Sequence, residues 1–123
     1  MPGEDPAPVT PAPLAGVTVV ALEQAVSAPM CTRTLADFGA RVIKIEPPGL
    51  GDSYRNLIRL RAPPGTTDYF WTLDARNKES LALDLAHPAA RGVLDALIRK
   101  ADVFITNYPF PTREKFRLRA EDV

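Results

Sequence analysis

This chain of 123 residues encodes an α/β fold built on a parallel sheet, and three observations say so. Short apolar runs are unbroken, as in strands buried on both faces. Amphipathic stretches of helical period lie between them, and helices between short strands call for parallel pairing with right-handed crossovers. The runs also stop at acidic or polar residues, which places polar groups at the carboxyl edge of the sheet, where such folds bind ligands.

The elements follow in order. Residues 1–13 hold five of the thirteen prolines and read as a flexible tail without packing of its own. Residues 17–22 form a first strand after Gly16. Ser27 is placed as the N-cap of the helix that follows, with Pro29 in its first turn. Cys31, Leu35 and Phe38 recur at i, i+4 and i+7 on its expected apolar face, and Gly39 stops it. Residues 41–46 form a second strand closed by Pro47-Pro48. A loop over 47–67 leads to Tyr69, Phe70, Trp71 and Leu73, which suit either a short helix or a strand. Residues 81–85 read as the third strand, and His87-Pro88 opens a helix whose apolar face holds Val93, Leu94, Leu97, Ile98 and Ala101. Residues 103–105 form the fourth strand, ending at Thr106-Asn107, and 113–118 suit a helical turn. The acidic end at 120–123 leaves the sheet unfinished, as the N-terminal part of a larger domain.

Composition excludes several classes. Fifteen basic and fifteen acidic residues cancel, so no overall field draws nucleic acid or an anionic membrane. No apolar run nears the roughly 20 residues of a membrane span. Residues 1–13 lack the pattern of a secretory signal. One cysteine and one histidine offer neither a disulfide nor a zinc site, which fits a reduced, cytoplasmic setting with no metal. The first strand–helix turn, 23–29, contains no glycine, which argues against nicotinamide or flavin binding in the usual manner.

Candidate chemistry is sparse. Glu23, Glu46 and Asp84 sit at strand ends as possible nucleophiles or bases, although edge carboxylates are more often solvated or capping. His87 reads as a surface turn residue, while Cys31 and Trp71 read as packing residues. Arg55, Arg59, Arg61, Arg76 and Lys78 either gather on a polyanion or form a solvated basic loop.

Several ordered blocks carry a resemblance. They are Pro13-Leu14-Ala15-Gly16-Val17, Ser27-Ala28-Pro29-Met30-Cys31-Thr32, and Leu35-Ala36-Asp37-Phe38-Gly39-Ala40-Arg41-Val42-Ile43-Lys44-Ile45-Glu46-Pro47-Pro48 with Gly51-Asp52. Asn77-Lys78-Glu79-Ser80-Leu81-Ala82-Leu83-Asp84-Leu85 with Pro88 follows, then Lys100-Ala101-Asp102-Val103-Phe104-Ile105-Thr106-Asn107. Together the chain resembles the N-terminal portion of class III coenzyme A transferases, the carnitine dehydratase and bile-acid-inducible protein F type. That family includes formyl-CoA transferase and α-methylacyl-CoA racemase.

The resemblance implies a Rossmann-like large domain, of which residues 14–123 are the N-terminal part, and an interlinked homodimer. It implies transfer of coenzyme A between acyl-CoA and carboxylic acid substrates through an aspartyl–acyl anhydride. It places that aspartate outside this chain, so no catalytic residue is assigned here. The racemase branch and a truncated, non-catalytic coenzyme A-binding remnant are the alternatives, and a C-terminal partner chain is an alternative to the homodimer. By the family pattern Leu83, Asp84, Leu85 and Ala86 line the nucleotide part of coenzyme A, followed by Asn107 and Tyr108, with Lys115 at a position suited to phosphate. Val26 stands where some members place a polar side chain near the acyl group. Pro47 and Ala86 replace basic residues, and Phe110-Pro111 and Phe116-Arg117 replace Pro-Gly and Leu-Gly pairs. The resemblance therefore implies weakened affinity or compensation by other basic residues.

Overall fold

The computed structural model describes residues 10–57 and 63–123. The chain runs β1 (Thr18–Leu22), α1 (Ser27–Asp37), β2 (Arg41–Glu46), a 3-10 turn (Ser53–Asn56), α2 (Tyr69–Ala75), β3 (Lys78–Ala82), α3 (Ala90–Ile98), β4 (Val103–Thr106) and α4 (Phe110–Lys115). The four strands form one sheet in the order β3-β2-β1-β4. All three pairings are parallel, with Val19 opposite both Val42 and Val103, and Val42 opposite Lys78. The expected α/β parallel architecture is therefore the observed one. The chain winds outward from β1 to β3 and then returns to the other side of β1, so the strand order reverses between β1 and β4. In open sheets of this kind, ligand crevices form outside the carboxyl ends at such a reversal.

Alternation along the strands divides the interior into two layers. Val19, Ala21 and Val42 face α1 and pack with Ala36 and Ala40. Val20, Leu22 and Ile45 face the other way and pack with Leu94 of α3 and with Leu118. Both faces of β1 are thus covered, which is why its sequence is an unbroken apolar run.

Local physics moves several expected features. Val26, not Ser27, is the N-cap of α1, and it offers no side-chain cap. Ala25 takes φ 58°, turning the chain so that Val26 already has helical angles and its carbonyl accepts from Met30 N–H at 2.8 Å. The buried face of α1 is Ala28, Pro29, Thr32 and Ala36 rather than Cys31, Leu35 and Phe38. Small residues let this helix lie close on the sheet, leaving Cys31 and Phe38 exposed and Leu35 half-buried. Cys31 is therefore not a core residue. The third strand lies three residues earlier than expected, because Asn77 turns the chain at φ 62° and pairing starts at Lys78. The aromatic segment is helical; Trp71 is half-buried, while Tyr69, Phe70 and Leu73 are exposed rather than packed. In α3, Leu94 is buried and Leu97 and Ile98 pack partly, but Val93 is exposed. Pro109 is the N-cap of α4 and Pro111 lies in its first turn, where proline is well suited.

Of the supposed tail, residues 1–9 lie outside the described residues. Ala12 does have a packing partner: a Cβ built on Gly39 (φ 99°) would collide with its methyl group. Gly49 (φ 81°) has a similar backbone but open space around it. Replacing either glycine by alanine strains the backbone by about 1 kcal/mol. We expect Gly39→Ala to lose at least about 1 kcal/mol more than Gly49→Ala in urea unfolding, because it adds the collision. Equal losses would show that the Ala12–Gly39 contact is not formed.

Candidate functional site

Charged residues crowd the carboxyl edge on the α1 face of the sheet. Lys44 sits inside the apolar strand β2, and pairing sets it opposite Ser80, while Glu46 stands opposite Ala82. Burying these charges is tolerable only if each is paired and hydrogen-bonded. Glu23, two residues beyond Ala21, accepts from Thr32 Oγ1 at 2.6 Å and from Lys78 Nζ at 2.8 Å. Lys78 Nζ also donates to the Pro29 carbonyl at 2.9 Å, which fastens the first turn of α1. Lys44 Nζ lies 3.4 Å from Glu23 Oε1 and 2.8 Å from Asp52 Oδ2. The side chains of Glu23, Lys44, Lys78 and Asp52 are all at most 4% exposed. Burial pushes the Lys78 ammonium below its usual range, against the opposing pull of the Glu23 carboxylate.

Glu46 organises the neighbouring loop. Its carboxylate accepts a fork from Arg55, Nε at 2.6 Å and Nη2 at 2.7 Å, together with Ser80 Oγ at 2.9 Å and Asp52 N–H at 3.0 Å. Burial alone raises the pKa of this carboxyl, but those donors outweigh it and bring the group from 4.5 down to about 2. The Arg55 guanidinium also lies over the Trp71 ring, 4.0 Å from its centroid, so α2 closes the same assembly. Gly51 is required at its place: at φ 69°, an added Cβ would come within 2.8 Å of Glu46 Oε2.

Glu23 and Glu46 are therefore not solvated edge carboxylates. Each is saturated by donors, which suits them to hold loops rather than to attack a substrate. Asp84 lies beyond the end of β3 and accepts from Ala86 N–H at 2.9 Å, as a turn-forming aspartate does. His87 is exposed, and its Nδ1 accepts from Ala89 N–H at 3.2 Å, in keeping with a turn role. The basic loop residues do not converge: Arg55 goes to Glu46, Arg76 to Asp37, and Lys78 to Glu23. Arg59 and Arg61 lie outside the described residues.

The residues singled out by resemblance fall around the same edge in separate groups. Leu85, Ala86 and Lys115 line one cleft of about 220 Å³ with His87, Pro88, Arg91, Leu94, Phe116 and Arg117. Tyr108 lines a second groove with Glu23, Gln24, Glu46, Pro47, Gly51 and Asp52. Burial raises the Tyr108 phenol, and the nearby carboxylates Asp52, Glu23 and Glu46 add to that. Leu83, Leu85, Tyr108 and Phe116 share one apolar cluster, so cleft and groove border a common wall. Asn107 bridges β4 to the loop after β1: its Oδ1 accepts from Gln24 N–H at 2.9 Å, and its Nδ2 donates to the Gln24 carbonyl at 2.8 Å. Val26 is exposed in the same loop. Leu83 N–H donates to the Glu46 carbonyl at 2.9 Å, extending the ladder beyond β3.

Arg91 in the cleft, and Lys44, Asp52 and Thr32 in the buried network, were given no role by sequence reasoning, and Arg117 was noted only as standing where relatives have glycine. Within the buried network only Lys44 carried a signal, as a cation in the middle of a strand otherwise fit for burial.

The family model for CoA-transferase family III matches residues 14–123. The chain is 38% identical over 113 residues to a succinyl-CoA–D-citramalate CoA-transferase from Chloroflexus aurantiacus, covering 92% of this chain and 28% of that protein. It is 40% identical over 95 residues to a formyl-CoA:oxalate CoA-transferase from Bradyrhizobium diazoefficiens, covering 77% of this chain and 22% of the other. A protein named as the beta subunit of a succinyl-CoA–L-malate CoA-transferase, also from Chloroflexus aurantiacus, is 38% identical over 110 residues, 89% of this chain and 26% of its own length. Among solved structures, a CaiB/BaiF family protein from Brucella suis superposes with a TM-score of 0.78 at 30% identity, over 92% of this chain and 30% of that one. A hypothetical protein from Mycobacterium tuberculosis gives 0.79 at 32%, over 90% and 30%. The chain thus spans about a quarter of the length of these curated relatives.

The Glu46 assembly makes a pH-dependent contribution to stability. Its folded pKa of about 2 lies below the ordinary 4.5, so the contribution is complete above pH 4.5 and fades as pH falls towards 2. At pH 7, Glu46→Gln is expected to cost about 3 kcal/mol in urea unfolding. The gap to wild type narrows steadily between pH 5 and pH 2. A gap that stays constant across that range would contradict the assignment.

Proposed function

The chain belongs to CoA-transferase family III, and from that premise we propose that it supplies the coenzyme A-binding part of an enzyme moving coenzyme A between carboxylic acids. Residues 14–123 then form the N-terminal part of a Rossmann-like large domain, preceded by the proline-rich tail. One observation carries the reading: the cleft at the carboxyl edge brings Leu85 and Ala86 together with Lys115, Arg91 and Arg117 in a chain whose total charge is zero. A cationic pocket with apolar walls suits a nucleotide that carries phosphates. In this reading the backbone at Leu83, Asp84, Leu85 and Ala86 lines the nucleotide, Lys115 meets a phosphate, and Asn107 and Tyr108 line the path past β4. Val26, at the start of α1, stands nearest the acyl end.

In the proposed reaction an aspartate outside this chain attacks the thioester carbonyl. A carbon–oxygen bond forms, the carbon–sulfur bond breaks, and coenzyme A leaves as the thiolate, giving an aspartyl–acyl anhydride. The thiolate then attacks the aspartyl carbonyl and releases the donor acid. The acceptor carboxylate displaces the thiolate from the resulting aspartyl thioester, and the thiolate attacks the acceptor's acyl carbonyl, which frees the aspartate. This chain's share is to hold the carrier while those steps proceed, with water kept from the anhydride. The relatives described above are named as transferases, which supports transfer over the racemase branch. The relative named as a beta subunit supports a partner chain; an interlinked homodimer is the arrangement the family resemblance favours. The single cysteine fits the proposed cytoplasmic setting.

Titration calorimetry of this chain with coenzyme A tests the reading. Saturable binding is expected, weakened about tenfold in Lys115→Ala by loss of one phosphate contact. A folded chain that takes up no coenzyme A would end the proposal. An unchanged affinity in Lys115→Ala would remove that residue from the site.

A further inference from the structure

We propose that Arg117 gives this cleft its specificity, by reading the phosphate monoester on the ribose of coenzyme A. The inference rests on the coenzyme A reading above and gives a specific role to a residue which that reading counted only as part of the cleft's positive charge. Arg117 follows α4 by two residues and takes φ 54°, a left-handed conformation that glycine adopts freely and an arginine adopts under strain. Its backbone is pinned on both sides. Its N–H donates to the Glu114 carbonyl at 3.1 Å, and its own carbonyl accepts from Arg91 Nη1 at 2.5 Å. Strain held so firmly fixes where the side chain begins, at the cleft that Lys115, Ala86 and His87 also line.

The other charges around the cleft are already used. Arg91 donates to the carbonyls of Arg117 and Asp122 and pairs with Asp95 at 2.7 Å. Arg117 interacts electrostatically with Asp122, but that carboxylate already accepts from Arg119 at 2.8 and 3.4 Å. Lys115 forms no ion pair among the described residues and lies 5.2 Å from the centroid of the Phe116 ring. Ala86, also in the lining, offers no charge. Lys115 and Arg117 are thus the two cations left for an anion. A guanidinium fork matches a terminal phosphate, which presents several free oxygens and about two charges, better than a bridging phosphodiester with one. In coenzyme A the terminal group is the ribose phosphate, and its diphosphate is bridging. Arg117 also borders an outer hollow with Arg99, Asp95 and Asp122, so the role must be separated from that surface.

The full chain is titrated with coenzyme A and with dephospho-coenzyme A, as wild type, Arg117→Gly and Arg117→Lys. Wild type is expected to prefer coenzyme A by about tenfold, and Arg117→Gly to lose that preference. Arg117→Lys, which keeps the charge without the fork, falls between them. Because glycine relieves the backbone, Arg117→Gly should melt no earlier than wild type, an outcome that a merely structural role for the arginine does not give. A preference that survives in Arg117→Gly, or an equal loss for both ligands, overturns the role of Arg117 and leaves coenzyme A binding intact. Wild-type protein that binds neither ligand overturns both.

Discussion

Five charged side chains with little access to water, Glu23, Lys44, Glu46, Asp52 and Lys78, hold the carboxyl edge of this sheet in one arrangement. Isolated burial of any of them would cost several kcal/mol, so each constrains the element that brings its partner. Glu23 fixes α1 through Thr32 and, by way of Lys78, through the Pro29 carbonyl. Glu46 fixes the loop after β2 through Arg55 and the Asp52 N–H. Arg55 in turn lies on Trp71 and so ties in α2. The α1 face therefore changes character along the strands, from the apolar cluster around Val19, Ala21 and Val42 to an ionic lattice at their ends.

That division bears on function. The lattice uses up the carboxylates and cations on one face, while the cleft on the other face keeps Lys115 and Arg117 without committed carboxylates. A chain of zero net charge can thereby present a local positive site. In the groove beside Tyr108 the carboxylates are already paired with Lys44, Arg55 and Lys78, which leaves no free cation for a phosphate and favours uncharged portions of a long ligand there. A carrier with a phosphorylated nucleotide at one end and a neutral arm suits both surfaces at once.

Three of the four strands were legible because their signals were local, whereas β3 begins three residues before its apolar run. Residues 41–46 form β2 as expected, since an apolar run closed by Pro47-Pro48 leaves little choice. The buried face of α1 was not legible from hydrophobicity: close approach to the sheet favoured Ala28, Thr32 and Ala36 over the larger Cys31 and Phe38. Glu23 and Glu46 read as ordinary edge acids because their partners stand far off in sequence, Lys78 at 55 positions from Glu23 and Ser80 at 34 from Glu46. Lys44 within an apolar strand was the one local hint of such pairing. The resemblance marked Leu85, Ala86 and Lys115, which the fold brings to one cleft, but Val26 and Asn107 lie along a different part of the edge. Arg117 stood out only as a departure from a Leu-Gly pair, and its left-handed backbone and its place in the cleft are what distinguish it from a surface arginine.

In the proposed reading the ligand enters at the carboxyl edge on the α3 side, and the buried ions beneath α1 only hold the frame. Amide chemical-shift mapping during a coenzyme A titration tests it most directly. The largest shifts are expected at residues 84–87, 107–108 and 115–117, with Thr18, Arg41 and Asp102 at the opposite edge left in place. Shifts centred on that opposite edge, or on the exposed face of α2 around Tyr69 and Leu73, would contradict it.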